Sequence, residues 1–423
     1  MSRVVLLCIL LLTGTTVLSQ GDCFTMQYEA ELLKQHPHLF DQITKANSLL
    51  NNTRSGTLMT GPGAPVPGVI PVITIPVVVH ILYKEASENI SDAQVLSQID
   101  ALNKAFRHRH ADTAKVPAWF RELAADVKVE FCLARVDPKG RATTGIVRKN
   151  TWVTMFGIDD RIKFSDMGGD DAWDSEKYLN IWVGNLAGGL IGYSSPIGGP
   201  RERDGIAIRS NAFGTTGTVS APYYLGRTAV HEVGHWLGLR HIWGDVSCGD
   251  DLVHDTPKQR LANRGCPSGI KQGCENTPYG EMYMNYMDLT NDECVLMFTE
   301  GQADRMRSVF AEGGPRFGIL SSQGCSGTPV LPPIESPETD LQAEKIINLY
   351  PNPAQNILVV DIRENTNLIG QEIQIINQYG QAVRSVRLNQ AKTTVNISQL
   401  ARGMYFIKVN GGSKKYQDKF LKL

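Results

Sequence analysis

The sequence predicts a mixed α/β (α+β) domain with a twisted sheet, followed by a small all-β sandwich. The chain has 423 residues, which is too long for one ordinary hydrophobic core. In its N-terminal part, β-branched apolar runs alternate with segments whose apolar residues recur at helical spacing. In its last part, short alternating strands are separated by turn residues. The first pattern is typical of an α/β arrangement and the second of a sandwich.

Residues 1–19 have the pattern of a secretory signal peptide. Arg3 precedes an apolar run from Val4 to Leu12, and small residues precede Gln20. No later segment approaches about 18 consecutive apolar residues, so we expect a Sec-exported protein without a transmembrane segment. The formal net charge is −1, and the chain has no basic stripe or acidic tail. Nucleic acid is therefore not an expected partner.

The region after the signal divides by composition. Residues 20–70 form a polar pro-segment, with a helix expected around Glu29 to Leu50 and a Gly- and Pro-rich junction from Thr57 to Val69. Residues 71–325 form the main domain. Its predicted elements are strands at Ile75–Tyr83, Val127–Ala134 and Tyr178–Val183, a helix at Ser91–Arg107 with Ser91 as N-cap, and a helix from near Tyr224.

A proline-rich linker at residues 326–343 separates this domain from residues 344–423. The strands predicted after the linker are Ile357–Ile362, Ile373–Ile376, Ala382–Leu388, Thr394–Ile397 and Tyr405–Val409. Short strands of this kind predict the all-β sandwich.

Residues 231–241 carry the strongest chemical signal in the chain. His231 and His235 are four apart, so on a helix they project from one face and can bind one metal ion. Gly238 can adopt the positive φ that ends a helix, and the turn brings His241 to the same ion. Three imidazoles leave one tetrahedral position of Zn²⁺ for water, as a catalytic site requires. Glu232 beside the first ligand is placed to act as base, and this full set disfavours the alternative of ordinary surface histidines.

The cysteine content fits an exported protein. Of eight cysteines, Cys8 lies in the signal, which leaves seven. Four of these follow the histidines closely and predict two disulfides: Cys248, Cys266, Cys274 and Cys294. Cys132 and Cys325 can form a third bond, which leaves Cys23 of the pro-segment unpaired.

The histidine pattern is the long zinc signature of the metzincin metalloproteases. Asn285-Tyr-Met-Asp288 resembles the turn beneath the metal in these enzymes, with Met287 as its methionine; taken alone, Met287 would be an ordinary core residue. Cys248–Pro257 and Cys294–Gln302 narrow the resemblance to the pappalysin family, specifically its short ulilysin-like members. The resemblance covers roughly Ile75 to Cys325.

This resemblance implies a metzincin-type catalytic domain, a zinc endopeptidase with a cleft between two subdomains. His231, His235 and His241 would bind Zn²⁺, and Glu232 would be general base and then acid. The strand Leu179–Val183 resembles the edge strand that pairs with extended protein or peptide substrates.

The resemblance also implies the specificity pocket and the cysteine pairs. In ulilysin-like enzymes an acidic residue two places before the last loop cysteine favours Arg or Lys at P1′; here it is Asp292. A solvated loop carboxylate is the equally weighted alternative, and Glu293 competes for the same role. Cys248 would pair with Cys274 and Cys266 with Cys294, although sequence alone leaves the connectivity open.

A Ca²⁺ site is implied near the cleft. Its expected ligands, from a run that by itself reads as an acidic turn, are Asp251, Val253, Asp255 and Thr256.

The pro-segment and one substitution in the turn bear on activity. Relatives place a cysteine where Cys23 stands, as a zinc ligand that gives latency; pairing with Cys132 or Cys325 is the alternative. Thr53-Arg54 is then a candidate self-activation bond. Leu289 replaces a tyrosine that stabilises the tetrahedral intermediate in relatives, and Tyr286 is a possible substitute donor.

The last domain resembles the C-terminal sorting domain of the type IX secretion system. The matching motifs are Leu349–Ala354, Asn377–Gln381 and Leu400–Val409. The resemblance implies the type IX machinery as a partner, passage across a bacterial outer membrane, and an extracellular or cell-surface location. A carbohydrate-binding or adhesive β-domain is the alternative.

The leading hypothesis is thus a secreted zymogen metalloendopeptidase. A surface adhesin that keeps a catalytically weak metzincin scaffold is disfavoured because a binding scaffold does not need Glu232. A zinc amidohydrolase for non-peptide amides is disfavoured by the expected protein-sized cleft and edge strand.

Overall fold

The computed structural model describes residues 22–52, 70–274, 279–327, 347–362, 366–377, 382–411 and 414–423. The chain divides into two compact units, residues 1–332 and 333–423. The predicted signal peptide, the Thr53-Arg54 bond and all but the first two residues of the predicted linker lie outside the described residues. No helix within these ranges has the length and apolar character needed to cross a membrane.

The first unit contains a seven-stranded sheet and five α-helices among its described residues. The strands are β1 (Asp22–Cys23), β2 (Ile73–Tyr83), β3 (Val129–Leu133), β4 (Ile146–Asn150), β5 (Leu179–Gly184), β6 (Leu190–Ser194) and β7 (Ile206–Arg209). The helices are α1 (Thr25–Gln35), α2 (Leu39–Asn52), α3 (Asp92–Phe106), α4 (Arg227–Trp236) and α5 (Glu300–Ser308). The strand order is β1-β6-β7-β5-β2-β3, and β4 also pairs with β2. This confirms the predicted mixed α/β class.

Local sequence signals account for the ends of these helices. The hydroxyl of Ser91 accepts a hydrogen bond from the backbone N–H of Gln94, so Ser91 is the predicted N-cap of α3. Thr299 and Gln302 form a reciprocal capping box at the start of α5. The predicted helix from near Tyr224 begins three residues later, at Arg227, because Gly226 has a left-handed φ of 71°.

One sequence prediction for this unit is refined and another is wrong. The predicted helical stretch around Glu29 to Leu50 is helical, but as two helices, α1 and α2, separated at Pro37, which lacks the N–H that a continuing helix needs. Leu179–Val183 is not at the sheet edge: β5 is central, paired with β2 on one side and β7 on the other. The cleft-side strand is β6, which runs antiparallel to β7 and pairs in parallel with β1 of the pro-segment.

The second unit has two sheets around its own core. Its strands are β8 (Asn348–Tyr350), β9 (Ile357–Asp361), β10 (Glu372–Asn377), β11 (Ala382–Arg387), β12 (Lys392–Asn396), β13 (Gly403–Gly411) and β14 (Lys414–Lys422). The sheets have the orders β11-β10-β13-β14 and β12-β9-β8. Buried residues such as Leu358, Ile375 and Phe420 fill the core, as the predicted sandwich requires. The sequence patterns do not predict β8 or the highly charged β14.

Candidate functional site

The three predicted histidine ligands converge at one point. α4 projects His231 and His235 from the same face, and Gly238 has a φ of 88° where the chain turns back towards His241. The Nε2 atom of His235 lies 3.1 Å from Nε2 of His231 and 3.2 Å from Nε2 of His241. Tetrahedral Zn²⁺ with ordinary Zn–N bonds separates its ligand nitrogens by about 3.3 Å. The histidine spacing therefore fits a zinc ion.

The other ring nitrogen of each histidine is oriented by a specific acceptor. Nδ1 of His231 donates to the carbonyl of Tyr286 at 2.7 Å, and Nδ1 of His235 donates to the carbonyl of Leu239 at 2.9 Å. Nδ1 of His241 contacts the carboxylate of Asp245. Burial, followed by the nearby His241, lowers the pKa of His231 to about 3. The Nε2 lone pairs of neutral, oriented imidazoles are the donors that a metal site uses.

The predicted turn methionine lies directly beneath α4. Met287 is fully buried, and a Cβ placed on Gly234 would lie 2.5 Å from its sulfur. Gly234 stands between His231 and His235, so its lack of a side chain allows the methionine to contact the helix at the level of the ligands.

Glu232 lies in a closed environment beside the histidines. It is fully buried, and its Oε2 accepts a hydrogen bond from the hydroxyl of Thr25 at 2.9 Å. Its other oxygen, Oε1, has no hydrogen-bond partner in the part of the chain that the structure describes. Burial raises the pKa of Glu232 to about 8, although bonds from Thr25 and Cys23 oppose the rise. A Cβ at Gly192 of β6 would lie 3.0 Å from this carboxylate, so β6 passes directly over Glu232.

Cys23 completes the cluster from the pro-segment. Its sulfur lies 3.5 Å from Nε2 of His235, and the sulfur and the three ring nitrogens all lie within 4.8 Å of one another. Cys23 is buried and makes no disulfide, so the alternative of a bond to Cys132 or Cys325 is wrong. Burial raises the pKa of the Cys23 thiol, so a thiolate here needs a nearby cation such as zinc.

Backbone pairing positions Cys23 at the cluster. β1 pairs with β6, Cys23 stands opposite Gly192, and the N–H of Phe24 donates to the carbonyl of Gly192 at 3.1 Å. Thr25 then bonds both the N–H of Ser194 and Glu232, each at 2.9 Å. The pro-segment thus contacts β6, the histidines and Glu232 together.

A cavity beside the histidines contains Asp292. The cavity is also lined by Arg227, Thr228, His231 and Leu289. The carboxylate of Asp292 accepts hydrogen bonds from the N–H groups of Leu225 and Arg227, at 2.7 and 3.3 Å, where α4 begins. Burial raises its pKa to about 6. The alternative of a solvated carboxylate is wrong for Asp292, whereas its competitor Glu293 is exposed.

Tyr286 is not placed as the substitute for the missing tyrosine. Its buried hydroxyl accepts a hydrogen bond from Nη1 of Arg227 at 2.9 Å and lies 2.7 Å from Nε2 of His110. These two partners already engage the hydroxyl at the base of the pocket. Leu289 lines the pocket and provides no donor.

Oxygen atoms of three of the four predicted calcium-site residues lie close together. The hydroxyl of Thr256 lies 2.8 and 2.9 Å from the two carboxylate oxygens of Asp251 and 2.9 Å from the carbonyl of Val253. Asp255 faces α5 instead, where its carboxylate accepts bonds from Thr299 and from the N–H of Gly301. The side chain of Asp255 therefore caps α5, contrary to its expected place among the ligands.

The disulfides occur as the resemblance implied. Cys248 is bonded to Cys274 and Cys266 to Cys294, and both bonds lie in the long loop between α4 and α5. Cys132 is bonded to Cys325.

Known proteins are similar in sequence to this chain. A sequence profile described as pregnancy-associated plasma protein-A matches residues 164–311. An extracellular metalloprotease of Arthroderma benhamiae is 31% identical over 242 residues, which are 55% of this chain and 76% of that protein. This chain belongs to the pappalysin family.

Two solved structures are also similar to this chain. A promirolysin variant of Tannerella forsythia is 43% identical to this chain. The match covers 70% of this chain and 96% of the promirolysin chain, with a TM-score of 0.63. Mature mirolysin of the same organism, in complex with a cleaved peptide, is 48% identical, covers 60% of this chain and 97% of its own, and has a TM-score of 0.59.

Other relatives match a smaller part of this chain. An extracellular metalloprotease of Pyricularia oryzae is 42% identical over 142 residues, 32% of this chain and 49% of that protein. The chain thus spans about half the length of the first curated relatives that it matches. Residues 348–422 match a profile described as a secretion system C-terminal sorting domain.

Two residues of the site are not predicted by the sequence patterns. Thr25 donates a hydrogen bond to Glu232, and Arg227 lines the cavity. Thr25 is remote in sequence from its partner Glu232, and Arg227 is remote from its partner Tyr286. Neither Thr25 nor Arg227 belongs to a motif. The only available signal was that Thr25 lies two residues after Cys23.

Proposed function

We propose that this pappalysin is a zinc-dependent endopeptidase made as a latent zymogen. The observation that carries the proposal is the convergence of three Nε2 atoms and the Cys23 sulfur beside a buried Glu232. His231, His235 and His241 would hold the metal, with Cys23 as fourth ligand in the latent form. When bound, zinc lowers the pKa of its water ligand and polarises the scissile carbonyl.

The protein's own residues supply the proton transfers and the substrate alignment. Glu232 accepts a proton from the attacking water and returns it to the leaving amine. Extended substrate takes the position of β1 along β6, where backbone pairing tolerates many sequences.

Mapping of cut sites by mass spectrometry tests this function. The enzyme obtained by processing the full chain is incubated with a denatured protein, with and without a zinc chelator. We expect cuts that the chelator prevents. Cuts that resist thorough chelation, or no cuts after removal of the pro-segment with calcium present, would contradict the proposal. The latter result would favour the adhesin scaffold.

Asp292 is proposed to give the cavity its preference for Arg or Lys at P1′. With a pKa of about 6, its carboxylate is charged at neutral pH and becomes neutral as the pH falls below that value. We expect the ratio of kcat/KM for Arg over Gln at P1′ to fall roughly tenfold from pH 7.5 to pH 5. The ratio cancels pH effects on the metal site and on Glu232.

Two matched variants separate this carboxylate from its neighbour. Asp292→Asn keeps a side-chain oxygen for the N–H groups of α4 and should abolish the basic preference at every pH. Glu293→Gln, an adjacent exposed change, should leave the preference intact. An unchanged ratio in Asp292→Asn would remove Asp292 from the specificity pocket.

The oxygens of Asp251, Val253 and Thr256 are proposed to bind Ca²⁺, with Asp255 tying the loop to α5. Calcium at about 100 times its Kd contributes about 2.7 kcal/mol, which corresponds to roughly 5–10 °C in Tm for a domain of this size. Calorimetry with and without calcium measures the shift. Asp251→Asn should lose it and the exposed control Asp166→Asn should keep it; an equal shift in both would exclude this site.

The proposal also includes export of the protein in two steps. The signal peptide at residues 1–19 directs Sec transport, and the C-terminal domain engages the type IX machinery for passage to the cell exterior. Its support is the match of residues 348–422 to a sorting domain. In a host with that machinery, we expect a chain truncated before residue 344 not to reach the cell exterior.

A further inference from the structure

A buried polar pocket receives the side chain of Tyr28 from α1. The Tyr28 hydroxyl donates to Oδ2 of Asp160 at 2.8 Å and accepts a hydrogen bond from Nζ of Lys163 at 3.2 Å. The Lys163 ammonium lies 4.5 Å from the centre of the Tyr28 ring. The ring of Tyr193 lies 4.9 Å from it, centre to centre. The pocket therefore recognises both the ring and the hydroxyl of a phenol.

The walls of this pocket all lie beyond the predicted pro-segment. Asp160, Lys163, Trp182 and Tyr193 are each at most 1% exposed. We call these four residues the phenol pocket. Processing near residue 70 would remove Tyr28 and leave all four walls in the enzyme.

The phenol pocket adjoins the strand along which substrate is expected to lie. Tyr193 is on β6, next to Gly192, whose backbone lies against Glu232. Side chains of adjacent strand residues point to opposite faces, so Tyr193 faces away from the catalytic helix. The pro-segment follows the same alternation: Cys23 faces the histidines, and Phe24 packs in the cluster that contains Tyr28 and Tyr193. A peptide paired with β6 would likewise direct alternate side chains towards the phenol pocket.

The charges of the pocket favour a phenol over a plain aromatic ring. Nζ of Lys163 lies 2.9 Å from Asp160, and Asp160 is also paired with Arg203 at 2.9 Å. Lys163 further donates to the hydroxyl of Ser195 and the carbonyl of Arg203. Loss of Tyr28 takes one partner from a buried ammonium and one from a buried carboxylate. A phenol restores both bonds, whereas a phenyl ring restores neither.

We propose that the phenol pocket is a substrate subsite for a tyrosine side chain near the scissile bond, and that Tyr28 occupies it in the latent chain. This inference rests on the proposed endopeptidase function. It assigns the enzyme a second determinant of specificity in addition to Asp292.

Peptide kinetics with the enzyme processed from the full chain test the subsite. A peptide that the enzyme cuts is varied with Tyr, Phe or Ala at each of three positions on either side of the cut bond. At one position we expect Tyr to lower KM about tenfold relative to Ala and severalfold relative to Phe, with little change in kcat. KM values within twofold at all positions would overturn the subsite alone. No cleavage of any peptide would overturn the proposed function and, with it, the substrate role of this pocket.

A pair of lysine variants identifies the pocket responsible. Lys163→Met should reduce the Tyr-to-Phe ratio to about one, and the half-exposed control Lys149→Met should leave it unchanged. Folding of each variant is checked by circular dichroism. A Tyr preference that survives in a folded Lys163→Met enzyme would overturn the assignment. If that variant does not fold, the peptide series with the unmodified enzyme still decides the proposal.

Discussion

Replacement of Glu232 by Gln is expected to reduce kcat/KM of the processed enzyme by about 10³-fold or more. Gln keeps the size and hydrogen-bonding capacity of the side chain but cannot accept a proton from water. In the structure Glu232 is fully buried beside three converging imidazoles, with one carboxylate oxygen free of partners among the described residues. No second carboxylate is found among the described residues that form the metal cluster.

The zinc content of the variant shows whether a loss of activity reflects loss of the base or loss of the metal. We expect Glu232→Gln to retain a full equivalent of zinc, because the predicted ligands are His231, His235 and His241. Glu176→Gln, an exposed change far from the site in sequence, is the matched control and should keep full activity. Normal turnover in Glu232→Gln would exclude it as the base.

Replacement of Cys23 by Ala is expected to activate the full-length chain. A tethered thiolate acts at an effective concentration in the millimolar range, so its removal should raise initial activity on the order of 100-fold. The sulfur lies 3.5 Å from His235 Nε2, where it would take the metal position that a water needs. Initial rates on a fluorogenic peptide, taken before N-terminal processing begins, measure the effect.

Controls distinguish loss of the thiolate from general loosening of the pro-segment. Ser48→Ala, an exposed change on α2, should remain latent. Thr25→Val should give a smaller activation, because it frees Glu232 but leaves Cys23 in place. Full latency in a folded Cys23→Ala chain would show that strand pairing with β6, rather than the sulfur, blocks the cleft.

The local patterns were read correctly from the sequence. His231 and His235 share a helix face because of their spacing, and Gly238 ends that helix because of its conformational freedom. Ser91 and the long β2 run likewise gave their elements correctly. In each case the deciding interactions lie within a few residues along the chain.

Contacts between remote residues were not accessible in this way. Thr25 and Glu232 are 207 residues apart, and Tyr28 and Asp160 are 132 apart. Burial of Asp292 likewise follows from the arrival of its loop at the start of α4. No periodicity within either segment specifies the other.

The sequence by itself thus predicted that the three histidines converge, that Cys23 is unpaired and that the chain has these two fold classes, since spacing and composition dictate local geometry. Only the tertiary structure decided that β6 rather than β5 borders the cleft. It also decided that Cys23, Thr25 and Tyr28 of the pro-segment contact His235, Glu232 and Asp160, respectively. The physical reason is that strand order depends on which apolar faces pack together across the whole chain. β5 and β6 are both fully buried strands, so their composition does not reveal which lies at the edge.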